Sequence, residues 1–592
     1  MLPHKIIEQR LQQAVGAVLP DADLANVLVR PCPDPKFGDY QTNALMALAN
    51  ARKLNPRQLA ADVVAKLDVA DSCQPVEVAG AGFLNFRLKP EALVQTLQSA
   101  ARGEHLFFEP VLRPRTVVVD FSSPNVAKPM HVGHIRSTIL GDSLARTLRL
   151  LGHRVITDNH LGDWGTQFGM LLVGWKTLLA AASLQADPLA EMERLYQTVS
   201  AQCDPEKPAF NQAMLDRARS ELVKLQAGDP ENLAIWREMI ALSRAQFDTI
   251  YRRLGVKFDH TLGESFYHPR LQPLVQELRA KGIARESEGA MAVFFEDLPQ
   301  LKEQPALIQK SDGAFNYTTT DLATLAHRLE TWHPDEIIYV TDARQQLHFQ
   351  QLFAVFRQWH PEAGVKLAHV WFGSILGEDG KPFKTRSGDT VKLSDLLDEA
   401  EERAFEVVSA KSPELPEPAR REIARIVGLG AVKYADLLPN RQSDYIFSWD
   451  KLLALNGNTA PYLQYAYARI RSIFRKGNVG QRVSPVPSPQ SPTTNHQSSA
   501  PLHLAAPEEL ALARRLLNFG LVLEAVADDY RPNFLCNYLY DLAGCFTAFY
   551  ENCPVLKSEA RQRASRLVLC DLTARVLKQG LDVLGIETLE QM

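Results

Sequence analysis

Two histidines three residues apart, in His131-Val132-Gly133-His134, stand where chemistry on a phosphate is favoured. Ahead of them, Thr116-Val117-Val118-Val119-Asp120-Phe121 has the β-branched run of a buried strand. Behind them, apolar residues recur at Ile135, Ile139, Leu140, Leu144 and Leu148, and Gly152 supplies a stop, which is the pattern of a helix. The pair, with Ser123-Pro124-Asn125 just before it, therefore falls on a strand-to-helix turn. Backbone N–H groups and the helix dipole favour an anion there, and Gly133 has no Cβ to keep a nucleotide away. Metal ligation fits less well, because no second Cys/His cluster lies nearby and no HExxH follows. An ordinary polar helix start is the other reading of the motif taken by itself.

A second feature separates these readings. Lys381-Pro382-Phe383-Lys384-Thr385-Arg386-Ser387-Gly388-Asp389 is a cationic, glycine-containing loop after the strand-like Val370-Trp371-Phe372-Gly373-Ser374-Ile375-Leu376. Such a loop can close on a triphosphate from the opposite side. Together the two segments resemble the paired signature loops of class I aminoacyl-tRNA synthetases. The likeness sharpens to the arginyl-tRNA synthetase family through Asp120 to His134, Gly162-Asp163-Trp164-Gly165 and Phe383-Lys384-Thr385-Arg386-Ser387-Gly388. Tyr339-Val340-Thr341-Asp342 with Gln345 and His348, and Tyr538-Leu539-Tyr540-Asp541-Leu542-Ala543, add to it.

The resemblance implies an arginine–tRNA ligase, in which the arginine carboxylate attacks the α-phosphate of ATP and the arginyl group then passes to the 3′ end of tRNA(Arg). The protein's part in such a reaction is positioning and charge stabilisation. His131 and His134 are then donors to phosphate oxygens, with Gly133 beside them and Lys128, Lys381, Lys384 and Arg386 on the β- and γ-phosphates. Mg²⁺ is expected to ride on ATP, without a dedicated protein cage. One departure from the class matters. The common loop reads Lys-Met-Ser-Lys-Ser; aligned on Ser387, the second lysine is Arg386 and the first is lost. Lys128, ahead of the histidines, is expected to supply the missing ammonium.

A guanidinium is always charged and offers five donors in a planar fork, so its pocket needs carboxylates and aromatic faces. By family position Asn125, Glu264, Tyr317, Asp321 and Gln345 line that pocket. Tyr317 and Asp321 are four apart and share one face of a helix. The charged pocket makes a proofreading domain unnecessary, since lysine or citrulline would leave carboxylates unpaired. For the RNA, Phe83 and Asn85 match family positions that touch the D-loop. Tyr462, Tyr465 and Tyr467 stand beside Arg469, Arg471, Arg475 and Lys476, with no acid from Leu463 to Asn478. Aromatics among cations suit stacked, unpaired bases and their phosphates, and Tyr462, Tyr465, Arg469 and Arg471 are the residues expected to contact RNA.

The elements that must position these residues read as three domains in 592 residues. Residues 1–108 form an α+β domain and residues 109–440 a doubly wound, Rossmann-type α/β domain with a helical insertion at about 175–255. Residues 441–592 form an all-α anticodon-binding domain, with a Ser/Pro-rich insertion at about 478–506 read as disordered. A net charge of −4 argues against a wholesale nucleic-acid coat but leaves room for a local basic track. Seven cysteines without a CxxC pair indicate neither a zinc knuckle nor a disulfide framework. No apolar run is long enough to span a bilayer and the first residues lack an h-region, so a soluble, cytoplasmic protein is expected; a monomer is expected as well. Two other readings stand beside the ligase: a class I synthetase for another amino acid, and a catalytically silent tRNA-binding module. For the first, an apolar substrate would strand the two carboxylates, Glu264 and Asp321, and the second would have no use for Lys128, His131, His134 and Lys384.

Overall fold

The structure is a computed structural model that describes residues 1–34, 36–383, 391–477 and 502–592. Packing divides them into two units: Met1–Val111 with Ala454–Asp582 and Glu587–Met592, and Leu112–Leu453 with Val583–Ile586.

The first unit joins the two ends of the chain. Helix Pro3–Val18 buries Ile7, Leu11, Ala14 and Val15 along one face. A four-stranded antiparallel sheet follows, built from β1 (Arg30–Pro31), β2 (Tyr40–Thr42), β3 (Glu77–Ala79) and β4 (Phe83–Phe86) in the order β1-β2-β4-β3. The apolar, strand-like run Asn26–Arg30 joins the sheet only at its end, where Arg30–Pro31 pairs with Tyr40–Gln41. Upstream of it the backbone is held by the first helix instead: Val29 N–H donates to Glu8 Oε2 at 3.0 Å, and the Val27 carbonyl accepts from Gln12 Nε2 at 3.2 Å. The C-terminal helices are Ala460–Lys476, Pro507–Leu517, Phe519–Asp529, Asn533–Asn552 and Ala560–Val583. The apolar run Leu512–Val526 reads as one helix in the sequence, yet it breaks at Asn518. Gly520 explains the break: its N–H donates to the Phe107 carbonyl at 3.1 Å, and a Cβ there would lie 2.3 Å from that oxygen. Lys5 pairs with Glu524 at 2.8 Å and Arg575 donates to the Ala100 carbonyl at 3.0 Å, so the end segments share one core. Of the Ser/Pro-rich insertion, 478–501 lies outside the described residues. Its tail, 502–506, is tied down, with His503 N–H on Ser565 Oγ and both Ala505 and Ala506 N–H on Glu509 Oε2.

In the second unit the strands are β5 (Thr116–Asp120), β6 (Arg154–Leu161), β7 (His260–Gly263), β8 (Ala284–Ser287), β9 (Ala290–Val293), β10 (Ala306–Gln309), β11 (Glu336–Tyr339), β12 (Lys366–His369), β13 (Ile375–Leu376) and β14 (Tyr445–Ile446). Five of them form a parallel sheet in the order β12-β11-β5-β6-β7. Val117, Val118 and Val119 are wholly buried, as a strand covered on both faces requires. The chain leaves β5 toward β6 and β7, then returns to its other side for β11 and β12. That reversal opens a crevice at the strand C-terminal ends, where doubly wound sheets bind ligands. The apolar run Met291–Phe295 pairs through its first half, in β9, within a separate antiparallel sheet, β10-β9-β8. Its cause is local: Glu288 and Gly289 both have positive φ, the two-residue turn that folds β8 back on β9. The insertion is helical throughout its core, with Gln167–Leu178, Pro188–Cys203, Gln212–Gln226 and Pro230–Leu254 as its main helices.

Two buried arginines lock this unit. Arg328, fully buried on helix Tyr317–Trp332, reaches Asp120 at 2.5 Å and Asp158 at 2.8 Å, the last residue of β5 and its register partner within β6. Its guanidinium also lies 5.3 Å from the Tyr339 ring on β11. Arg136 pairs with Asp436 at 3.1 Å and donates to the Gly373 carbonyl at 2.7 Å.

Candidate active site

The turn after β5 is strained where it meets the crevice. Ser122, Ser123 and Ala127 have φ of 73°, 47° and 62°, a left-handed conformation that costs non-glycine residues of order 1–3 kcal/mol each. Hydrogen bonds hold it in place. Ser122 N–H donates to Ser137 Oγ, Ser123 N–H to Asn159 Oδ1 and Ala127 N–H to Ser243 Oγ, all within 3.0 Å. The helix that follows, Val132–Leu150, takes His131 as its N-cap.

Both histidines of the motif are locked in one tautomer. His131 Nδ1 accepts the Gly133 N–H at 3.0 Å, and His134 Nδ1 accepts the His131 N–H at 3.0 Å. A nitrogen that accepts carries no proton, so each ring keeps its hydrogen on Nε2. The rings lie with centroids 4.0 Å apart. Burial lowers both pKa values, His134 to about 3, and the charges of Arg344 and Lys128 lower His131 further. The site therefore presents two neutral Nε2–H donors at a helix N-terminus. One prediction follows directly. In the free protein the His134 ring signals should not titrate between pH 5 and 8 by NMR; a midpoint near 6.5 would show the ring to be ordinarily solvated. The same shift carries a sign for stability. Below pH 6.5 the unfolded chain binds protons that these rings refuse, so their contribution weakens as pH falls from 6.5 toward 3.

Cations collect around this turn. Lys128 sits with Nζ 4.7 Å from the Tyr196 ring centroid. Arg344, missed in the sequence reading, is held by both Asp342 oxygens and is near enough for its charge to be felt at His131. Lys381 is exposed in a hairpin closed by Gly377 N–H on its carbonyl and by Phe383 N–H on the Ile375 carbonyl. Lys384 and Arg386 lie outside the described residues. The chain reappears beside the histidines: Val132 N–H donates to Val391, Leu393 N–H donates to Met130, and His131 bridges Lys392. Among the described residues no three His, Cys, Asp or Glu side chains are grouped to hold a metal ion.

The expected arginine pocket is a carboxylate cluster on the same crevice. Asp321, on helix Tyr317–Trp332, accepts from His348 Nε2 at 2.6 Å, and the exposed Tyr317 ring packs edge-on against His348 at 4.8 Å. Glu264 opens helix Glu264–Ala280 after β7. Burial raises its carboxyl above the usual range, His160 opposes that, and the charges of Asp321 and Asp163 add to it. Such a site gains most when a cation arrives. Asn125 bridges Gly162, whose Cβ, were it present, would fall 2.1 Å from Asn125 Oδ1. Asp163 holds the start of the Glu264 helix through Ser265 N–H and Oγ at 2.8 and 2.7 Å. Gln345 closes a short 3-10 turn and is exposed. The motif residues thus divide: Asn125, Glu264, Tyr317 and Asp321 reach the crevice, while Gly162 and Asp163 shape its wall. His160 and His348 were missed as site residues; His348 had a signal in its place three after Gln345, His160 had none.

The aromatic and cationic surface of the first unit is smaller than its sequence suggests. Arg471 is buried against Glu590 at 2.7 Å, the same carboxylate accepts from Tyr467 OH, and Arg475 donates to the Glu590 carbonyl. No acid lies within the segment, but the chain end supplies one. Tyr465 is 48% exposed, Tyr462 packs 5.5 Å from Tyr540, and Arg469 lies 4.5 Å over Tyr550. Both partners lie on helix Asn533–Asn552: Tyr540 belongs to the motif Tyr538–Ala543 without having been singled out there, and Tyr550 had no signal in the sequence. On β4, Asn85 is 5% exposed and paired in register with Gln41 and Glu77, so of that pair only the half-buried Phe83 offers a face.

Comparison with known proteins agrees over the whole chain. Residues 99–449 match the class I (R) tRNA synthetase catalytic domain, 463–592 the DALR anticodon binding domain and 4–88 the arginyl tRNA synthetase N terminal domain. An arginine–tRNA ligase of Chromobacterium violaceum is 46% identical, with all of both chains covered. One of Hahella chejuensis is 46% identical over 99% of this chain and 100% of its own. The arginyl-tRNA synthetase structure of Thermus thermophilus superposes with a TM-score of 0.82 at 27% identity, covering 100% of both. With the two histidines at the start of the helix that follows β5, these matches show that the chain belongs to the arginyl-tRNA synthetases, a family of class I aminoacyl-tRNA synthetases.

Proposed function

We propose that this arginine–tRNA ligase forms arginyl-adenylate in the crevice of the parallel sheet, with the neutral Nε2–H groups of His131 and His134 as donors to the α-phosphate. The observation that carries the reading is their fixed tautomer at the N-terminus of the helix that follows β5. ATP enters with its Mg²⁺ and lies along Gly133. Lys128, Lys381, Lys384 and Arg386 take the β- and γ-phosphates as charge moves to pyrophosphate. Glu264 and Asp321 hold the guanidinium, Tyr317 covers it, and Asn125 and Gln345 bind the amino-acid end. The arginine carboxylate oxygen then bonds the α-phosphorus as the bond to pyrophosphate breaks. The 3′-terminal ribose hydroxyl of tRNA(Arg) displaces AMP in the second step. Phe83, Tyr462, Tyr465 and Arg469, joined by Tyr540 and Tyr550, contact the tRNA. Residues 1–108, 109–440 and 441–592 serve as D-loop, catalytic and anticodon domains of a cytoplasmic monomer; no described helix is long and apolar enough to cross a membrane.

Asp321→Asn tests the pocket, because it removes the charge and keeps an acceptor for His348. Loss of a hydrogen bond to a charged group is worth about 1.5–3 kcal/mol, so kcat/KM for arginine in ATP–pyrophosphate exchange should fall about 10- to 150-fold. The KM for ATP should hold. Exchange with each of the twenty amino acids, with and without tRNA, distinguishes the other readings. Support of exchange by a different amino acid, or full arginine use by Asp321→Asn, would place the guanidinium elsewhere.

A further inference from the structure

The reading of Lys128 as an ATP-site ammonium leaves open what holds a flexible lysine in place, and the insertion supplies an answer. Lys128 follows Ala127, whose backbone is fixed at positive φ by Ser243, yet its own four-carbon stem is free to rotate. Among the described residues no carboxylate lies within ion-pair distance of its Nζ. Its partner is an aromatic face: the Tyr196 ring, 4.7 Å away. Tyr196 sits on helix Pro188–Cys203, deep in the insertion and outside every motif of the family resemblance. That helix is itself tied to the active site at its start. Asp187, its N-cap, accepts from Ala190 N–H and Gln246 and lies 4.0 Å from Lys392, the residue that bridges His131. One helix thus touches the cation ahead of the histidines and the chain that follows the cationic loop.

We propose that Tyr196 is a positioning residue for Lys128: its ring face holds the ammonium beside the histidine turn. The arrangement suits a cation that must later engage phosphate. A carboxylate partner would have to be stripped away with its charge, whereas a ring face attracts the ammonium weakly and releases it without stranding a charge. The benefit is pre-organisation, which lowers the ordering cost of binding and is felt most in the transition state. The proposal rests on the ATP-site role of Lys128, and the test separates the two.

ATP–pyrophosphate exchange is measured with tRNA present on Tyr196→Leu, Tyr196→Phe, Lys128→Ala and the double variant Lys128→Ala/Tyr196→Leu. Tyr196→Leu should lower kcat about 3- to 10-fold, in the range of one partly shielded cation–π contact, with the KM for arginine unchanged. Tyr196→Phe keeps the ring face and should recover most of that loss. In the Lys128→Ala background, Tyr196→Leu should add nothing. An equal loss from Tyr196→Leu with or without Lys128 would overturn the proposal and make the ring a packing residue, as would equal impairment of the Leu and Phe variants. Wild-type kcat in Tyr196→Leu would overturn it too, with Lys128 left in the site if Lys128→Ala is impaired. Full exchange by Lys128→Ala would remove the underlying reading itself.

Discussion

Replacing His134 by alanine is expected to lower kcat for ATP–pyrophosphate exchange by about 10²- to 10³-fold, with a much smaller change in the KM for ATP. Removing one pre-organised donor to a developing negative charge costs about 2.7–4 kcal/mol in comparable sites. The split between kcat and KM follows because charge builds on the phosphate oxygens as pyrophosphate leaves, so the donor does most in the transition state. Both rings also cap helix Val132–Leu150, His134 Nδ1 by accepting the His131 N–H and His131 Nδ1 by accepting the Gly133 N–H, and at His131 a subtler replacement separates cap from donor. Alanine would remove cap and donor together, the cap alone being worth about 1 kcal/mol of stability. His131→Asn keeps an acceptor for the cap and removes the Nε2–H. It should therefore retain the wild-type unfolding midpoint and still lose turnover. Weakened ATP binding with normal kcat in both variants would sink the donor role. A lower midpoint for His131→Asn would instead show that asparagine does not restore the cap.

The second large effect concerns stability. Arg328→Met should destabilise the catalytic unit by about 3–5 kcal/mol, because it leaves Asp120 and Asp158 buried without their counter-charge. The triple variant Arg328→Met/Asp120→Asn/Asp158→Asn should recover much of that, since a neutral set avoids the isolated charges. Denaturant unfolding would check both. If the triple variant is no more stable than Arg328→Met, the arginine acts through packing and its contact with Tyr339, and not through charge. The effect should reach the substrate as well. Arg328 lies seven residues, about two helical turns, from Asp321 on helix Tyr317–Trp332, so both project from one side of it. By gripping the end of β5 and the register partner within β6 it sets how that helix presents Tyr317 and Asp321 to the crevice. A folded Arg328→Lys variant should therefore show a raised KM for arginine, lysine being unable to reach two carboxylates with a planar fork.

Much of this was legible in the order of residues because it depends on neighbours in the chain. The valines of β5, the apolar period after Ile135 and the glycine between two histidines determine a strand, a helix and the turn joining them. The backbone's own N–H groups then place phosphate chemistry there. Glu288-Gly289 shows the limit even at short range: a turn with two positive φ values sent Met291–Val293 into an antiparallel sheet that its apolar run alone did not distinguish from a parallel strand. Charge in a segment was a poorer guide. Arg471 read as part of a cationic face because no acid lies near it in sequence, yet Glu590, more than a hundred residues on, turns it inward. Only tertiary structure also decided that Arg328 joins two neighbouring strands, that His348 holds Asp321, and that the ring beside Lys128 comes from the insertion. Coulomb attraction and burial act through space, and a buried charge takes whichever partner the fold brings within about 3–4 Å. Such partners carry no periodic or local signal for the sequence to display.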